Sequence, residues 1–166
     1  MALPLTNSSC QTPGKALLQS GSIPLAGVSG RIDHMAFDTK RQFIYVAALG
    51  NNTVEVIDLK NKKLVRSIKG LNEPQGIRYI PESNAIFIAN GKTGECDVFD
   101  ADSYMKINSI KLESDADNVR YNPATGKVYV GYGEGGIAVI DAKSFKQLAD
   151  IKLPGHPESF QLDRSR

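Results

Sequence analysis

The 166-residue chain is 41% hydrophobic and 23% charged, which supplies one globular core and argues against a disordered chain. Its 20 basic and 18 acidic residues leave a net charge of +2, so no general electrostatic pull toward nucleic acid or an anionic membrane surface is expected. No apolar run reaches the roughly 18 residues that span a bilayer, and Cys10 and Cys96 have neither metal-site nor haem-attachment spacing.

Residues 1–15 are rich in Ser, Thr, Pro and Gly and read as a flexible leader. Met1–Gly14 has no basic n-region, and Ala2-Leu3-Pro4-Leu5 is too short for a secretory core, so no signal peptide is expected. Residues 16–166 read as the folded domain. Lys15–Leu25 places Leu17, Leu18, Ile23 and Leu25 like the end of a repeat and predicts an N-terminal outer strand. The first full unit, about 33–69, predicts strands over Asp33–Asp38, Phe43–Ala48, Thr53–Asp58 and Leu64–Lys69 (A to D), separated by polar turn residues. A second unit follows over 75–112 and a third over 117–153. Glu158–Asp163 predicts the inner strand of a fourth.

The units repeat residue by residue. Ile44-Tyr45-Val46-Ala47 returns as Ile86-Phe87-Ile88-Ala89 and Val128-Tyr129-Val130-Gly131, its aromatic positions 45, 87 and 129 lying 42 residues apart. Val56-Ile57-Asp58 returns at Val98-Phe99-Asp100 and Val139-Ile140-Asp141. Phe37, Tyr79, Tyr121 and Leu162 form a further line. A period near 42 built from four short strands is the mark of a β-propeller blade. Strand B is nearly continuous in apolar residues, as a strand buried on both faces requires, and the runs are too short and too β-branched for helices. The expected fold is therefore all-β: three four-stranded propeller units, with an outer strand before them and an inner strand after. This is an open arc or part of a ring.

An open arc carries an energetic cost. An end face of roughly 400 Å² left uncovered forfeits about 10 kcal/mol at ~25 cal/mol/Å², comparable to the stability of a domain. The chain is read as part of a larger propeller, with ring completion by self-association as the alternative.

The D–A links between units open onto the channel face, where a small-molecule or protein ligand is expected. Counting back from the line of Phe37, Tyr79, Tyr121 and Leu162 gives Asp33, Gln75, Asp117 and Glu158 at equivalent positions. Such oxygens either cap strand A or converge on a hard cation; Asp33, Asp117 and Glu158 are the candidate calcium ligands. No other cofactor is expected. His34 and His156 also lie in D–A links, three units apart; with Asp33 and Glu158 they offer a transition-metal or general-base site, but that requires contact across the channel, and a structural or solvent-facing role is the expectation. Arg31, Arg78 and Arg120 are placed to face an anionic ligand, Arg78 and Arg120 being equivalent. Asp58, Asp100 and Asp141 end strand C before turn formers and read as turn caps. Gly131–Gly136 lacks a following helix and reads as a B–C hairpin, not a phosphate loop.

Tyr45-Val46-Ala47 followed by Asn51-Asn52-Thr53-Val54-Glu55-Val56-Ile57-Asp58 resembles the YVTN repeat of bacterial and archaeal β-propellers. Gly30-Arg31-Ile32-Asp33-His34, Glu73-Pro74-Gln75-Gly76, Asp115-Ala116-Asp117-Asn118 and Gly155-His156-Pro157-Glu158 resemble the blade links of its YncE-like branch. The resemblance covers about residues 16–166. It implies a seven-bladed ring, exported to the periplasm or secreted, related to the quinoprotein and cytochrome d1 propellers. The expectation is a non-catalytic scaffold for a ligand or partner on the D–A face. The alternative is a lactonase-type, cation-dependent hydrolase using Asp33, Asp117, Asn118 and Glu158.

Overall fold

The computed structural model describes residues 20–163. Among these described residues, twelve strands form three antiparallel meanders. Strands β1 (Met35–Asp38), β2 (Phe43–Ala48), β3 (Thr53–Asp58) and β4 (Lys63–Ile68) pair in that order. The second sheet follows with β5 (Pro74–Ile80), β6 (Ala85–Asn90), β7 (Glu95–Asp100) and β8 (Lys106–Lys111). The third contains β9 (Val119–Asn122), β10 (Lys127–Tyr132), β11 (Gly136–Asp141) and β12 (Gln147–Lys152). Inner strand β5 packs on β1 and β2, and β9 packs on β5 and β6, so the sheets succeed one another as propeller blades.

The repeat is kept in backbone detail. Each C–D pair carries a register shift at the same place, Val56/Ile57, Val98/Phe99 and Val139/Ile140. Each C–D turn has a left-handed residue at its equivalent position, Lys62, Tyr104 and Phe145. Gln42 and Asn84 are left-handed in the A–B turns, and the third blade places Gly126 there, where no Cβ opposes the conformation.

Two cores fill the spaces between blades, and the alternation of each strand decides which core a residue joins. On β6, Ile86 and Ile88 face the first blade, where they meet Tyr45, Ala47 and Val56; Phe87 and Ala89 face the third, where they meet Val128 and Val130. Cys96 belongs to this second core, fully buried and free, and burial pushes its thiol up. Cys10 and the leader lie outside the described residues. The arc has two ends: Tyr79 stacks on Tyr45 with ring centroids 5.8 Å apart and is 8% exposed, whereas its equivalent Phe37 is 45% exposed. At the far end Leu148 and Ile151 are exposed.

Strands B and C of the first blade match their predicted limits, but the flanking strands differ. Residues 20–25 of the expected outer strand carry no strand, and 15–19 lie outside the described residues. Pro24 within this segment has no N–H to contribute to a ladder. Residues 158–163 also form no strand, since among the described residues no antiparallel neighbour pairs with them. They nonetheless lie beside β9: Asn118 Nδ2 donates to the Glu158 carbonyl at 2.5 Å, and Arg120 Nε to the Phe160 carbonyl at 3.1 Å.

Candidate functional site at the D–A links

The inner ends of the blades converge tightly. A Cβ on Gly76 would lie 1.8 Å from the Asp117 carbonyl oxygen, so only glycine lets β5 pass this close to the third blade. Backbone pairing then fixes the links. Asp33 N–H donates to the Ala47 carbonyl and Ala47 N–H to the His34 carbonyl; the equivalents, Asp117 to Gly131 and Gly131 to Asn118, recur at the same 2.9 Å. Since the backbone satisfies these amides, Asp33 and Asp117 are not needed as strand caps.

The four equivalent polar residues take different roles. Asp33 accepts from Arg31 and lies 2.9 Å from His34 Nδ1, off hydrogen-bond alignment. Gln75 Nε2 donates to Asp115 Oδ1 at 2.9 Å. Glu158 is exposed. Asp117 is 9% exposed; its Oδ2 accepts from Asn118 Nδ2 at 3.1 Å, while its buried Oδ1 has no hydrogen-bond partner. Burial pushes the Asp117 carboxyl above the usual carboxylate range, with Asp33 and Asp115 adding to the effect and His34 and His156 opposing it.

Both histidines reach Asp117. His34 Nδ1 lies 3.9 Å from Asp117 Oδ1. Asp117, His156 and Glu158 each offer one ligand atom within 4.8 Å of the others. The sequence separates the histidines by three units, but the middle links bring Asp117 to both. His156 Nδ1 lies 2.5 Å from the Gly133 carbonyl oxygen, and this bond, with Asp115, Glu158 and Asp117 nearby, raises the imidazole above its ordinary value against the effect of burial. His156 Nε2 lies 3.8 Å from Asp115 Oδ2.

Asp115 was not among the residues the repeat pointed to. It holds a left-handed backbone (φ 36°), unusual for a residue with a side chain, and touches both Gln75 and His156. In the sequence it opens the Asp115-Ala116-Asp117-Asn118 link motif at the position of Glu73 in the second link, which is left-handed as well (φ 54°).

The arginines divide. Arg31 is exposed beside Asp33. Arg120 is engaged by the Phe160 and Val119 carbonyls and by Asn118 Oδ1, with its guanidinium 5.6 Å from the Phe160 ring. It and Asn118 dock the segment after the third blade. Arg78 is exposed on β5 and lines with Arg120, Tyr121, Gln161 and Leu162 a groove of ≈ 740 Å³.

At the opposite end of the blades, Arg41 Nη1 donates to Asp38 Oδ2 (2.7 Å) and the Tyr79 hydroxyl (3.1 Å), and Nη2 to Asn84 Oδ1 (2.8 Å) and Asp102. The predicted turn caps are present: Asp58, Asp100 and Asp141 accept from the amides of Asn61, Ser103 and Ser144 at 2.7–2.8 Å, which holds these carboxyls low.

No family model matches the chain, and no curated protein matches its sequence. Among solved structures it is similar to Kuenenia stuttgartiensis hydrazine synthase, a protein containing a β-propeller, with a TM-score of 0.70 and 16% identity. The match covers 86% of this chain and 40% of that one, and it bears on the fold alone.

Proposed function

We propose that the chain is a segment of a larger propeller whose D–A face binds, without catalysis, a ligand presenting a cationic or amine group. One observation carries this reading: Asp117 keeps a buried carboxylate oxygen without a hydrogen-bond partner, beside Asp33, Asp115 and Glu158. Such an oxygen gains from a donor or a positive charge and repels an anion. The exposed apolar residues at the two ends, Met35 and Phe37 at one and Leu148 and Ile151 at the other, support further blades as its setting. The YVTN-like motifs support an exported protein.

The test uses the full chain in EDTA, titrated with putrescine and, separately, phosphate, and followed by amide NMR shifts. Putrescine is expected to shift residues 33–34, 115–118 and 156–158, with the effect lost in Asp117→Asn. Shifts produced equally by phosphate, or confined to the A–B and C–D turns, would overturn the reading.

A second reading, a cation-dependent hydrolase, draws on the proximity of Asp117, His156 and Glu158. Asn118, expected among its oxygen ligands, instead directs its amide nitrogen to Asp117 and Glu158 and its oxygen to Arg120. Turnover of γ-butyrolactone in a pH-stat would establish that reading.

A further inference from the structure

The geometry points to a divalent transition-metal site formed by Asp117, His156 and Glu158, taking Zn²⁺ or Mn²⁺ in preference to Ca²⁺. This rests on the reading of the D–A face as the ligand face and names the cation it takes.

The imidazole is already oriented. A carbonyl oxygen can only accept, so His156 Nδ1 donates its proton to the Gly133 carbonyl, and the neutral ring keeps its lone pair on Nε2. Metal-binding histidines are held in this way by a backbone carbonyl behind the ring. The first carboxylate is oriented too: Asp117 Oδ2 accepts from Asn118 Nδ2, and the buried Oδ1 has no hydrogen-bond partner, His34 Nδ1 standing 3.9 Å away. The second carboxylate is carried by a docked segment. Asn118 holds the Glu158 carbonyl, and Glu158 N–H bonds the His156 carbonyl at 3.1 Å, keeping the two ligand residues in one tight turn. Asp115, with Oδ2 3.8 Å from His156 Nε2, stands next to this set.

The donor types select the ion. One imidazole nitrogen with two carboxylates suits zinc, bound by N and O ligands at ~2.0–2.2 Å. Calcium takes about six to eight oxygen ligands and gains little from an imidazole. One ligand atom from each of the three residues lies within 4.8 Å of the others, so a small side-chain adjustment brings the set onto a common ion. The set of Asp33, Asp117 and Glu158 expected from the repeat differs by one residue, since Asp33 accepts from Arg31 and lies beside His34.

Isothermal titration of the full, EDTA-stripped chain with ZnCl₂, MnCl₂ and CaCl₂ tests the proposal. One Zn²⁺ per chain is expected, with Ca²⁺ binding at least tenfold weaker. His156→Ala should weaken Zn²⁺ tenfold or more, and His156→Gln should do the same should the alanine variant unfold. Asp102→Asn, at the opposite end, should leave the isotherm unchanged. Long-range ¹H–¹⁵N spectra should show Zn²⁺ moving Nε2 of His156. Absence of Zn²⁺ binding at millimolar concentration, an isotherm indifferent to both His156 variants, or imidazole shifts at His34 alone would overturn it. Because the putrescine experiment is run in EDTA, loss of the metal site would leave the amine result intact, and loss of both would remove the ligand face itself.

Discussion

The two ends of the blades carry similar acids and use them in opposite ways. At the A–B and C–D turns, Asp38, Asp58, Asp100 and Asp141 each accept from backbone amides a few residues on, and Arg41 clamps Asp38 to the second blade. At the D–A links, Asp117 is just as enclosed yet keeps an oxygen without a hydrogen-bond partner. Carboxylates at the first end are committed to structure. At the second, the Asp33 and Asp117 amides already pair with backbone carbonyls, so their side chains are not needed to cap them. That is the arrangement a binding site needs: rigid surroundings around a group with unmet bonding capacity.

Arg41 offers the largest way to break the comparison. Asp38 is 1% exposed, and its carboxyl, which burial alone would raise, is held low by the Arg41 and Lys40 amides and the Arg41 guanidinium. Arg41→Met should strip that partner and lower stability by about 3 kcal/mol, read as a fall in the urea midpoint at unchanged slope. Putrescine or Zn²⁺ affinity should stay unchanged at a temperature where the variant is folded. A loss below about 0.5 kcal/mol would mean that the turn end is not electrostatically clamped.

Arg41 also shows what a repeat hides. The period located strands B and C because every blade obeys it, and it located the turn caps because Asp58, Asp100 and Asp141 recur. Arg41 does not recur: Ser83 and Thr125 stand at its equivalents, so comparing units averages it away. Asp115 recurs only once, as Glu73 in the second link, also left-handed (φ 54°), while Arg31 and His156 stand at the other equivalents. Conversely, the equivalence of Asp33, Gln75, Asp117 and Glu158 suggested one convergent ring, while in the structure each neighbour alters its role: Arg31 at Asp33, Asp115 at Gln75, the docked segment at Glu158. The fold is legible where the units agree. The candidate site is built mostly where they differ, and contacts between links depend on how closely Gly76 lets the blades approach, which no periodicity encodes.

A turn cap gives the intermediate effect. Asp100 Oδ1 accepts from the amides of Asp102 and Ser103 and from the Ser103 hydroxyl. Asp100→Ala should cost about 1.5 kcal/mol by urea unfolding, and Asp100→Asn, which keeps an acceptor oxygen, clearly less. Equal losses in the two variants would show that the charge, not the hydrogen bonds, carries the cap.

Asp117→Asn should give the smallest effect and the opposite sign. Burial raises this carboxyl in the folded chain, so the folded state holds its proton more tightly than the unfolded state. Its ionisation therefore opposes folding, and stability from this group is lost as pH rises from the unfolded value of about 3.9 through the raised folded value. Asparagine removes that loss and preserves the oxygen facing Asn118. The variant should be more stable than the parent by about 1 kcal/mol at pH 7, with the difference closing below about pH 4. Asp100 behaves in reverse on the same axis. Its folded carboxyl is held low by the Ser103 amide and hydroxyl, so its contribution is complete above about pH 4 and falls away as pH drops through the folded value. Unfolding curves at several pH values thus separate the two ends by sign at neutrality: the Asp100→Ala difference is a loss, and the Asp117→Asn difference a gain, each greatest where its carboxylate is ionised. A gain in stability that coincides with loss of putrescine shifts would show that Asp117 is kept charged and buried at the expense of the fold. A destabilised Asp117→Asn would place this acid with the turn caps and dissolve the distinction between the two ends.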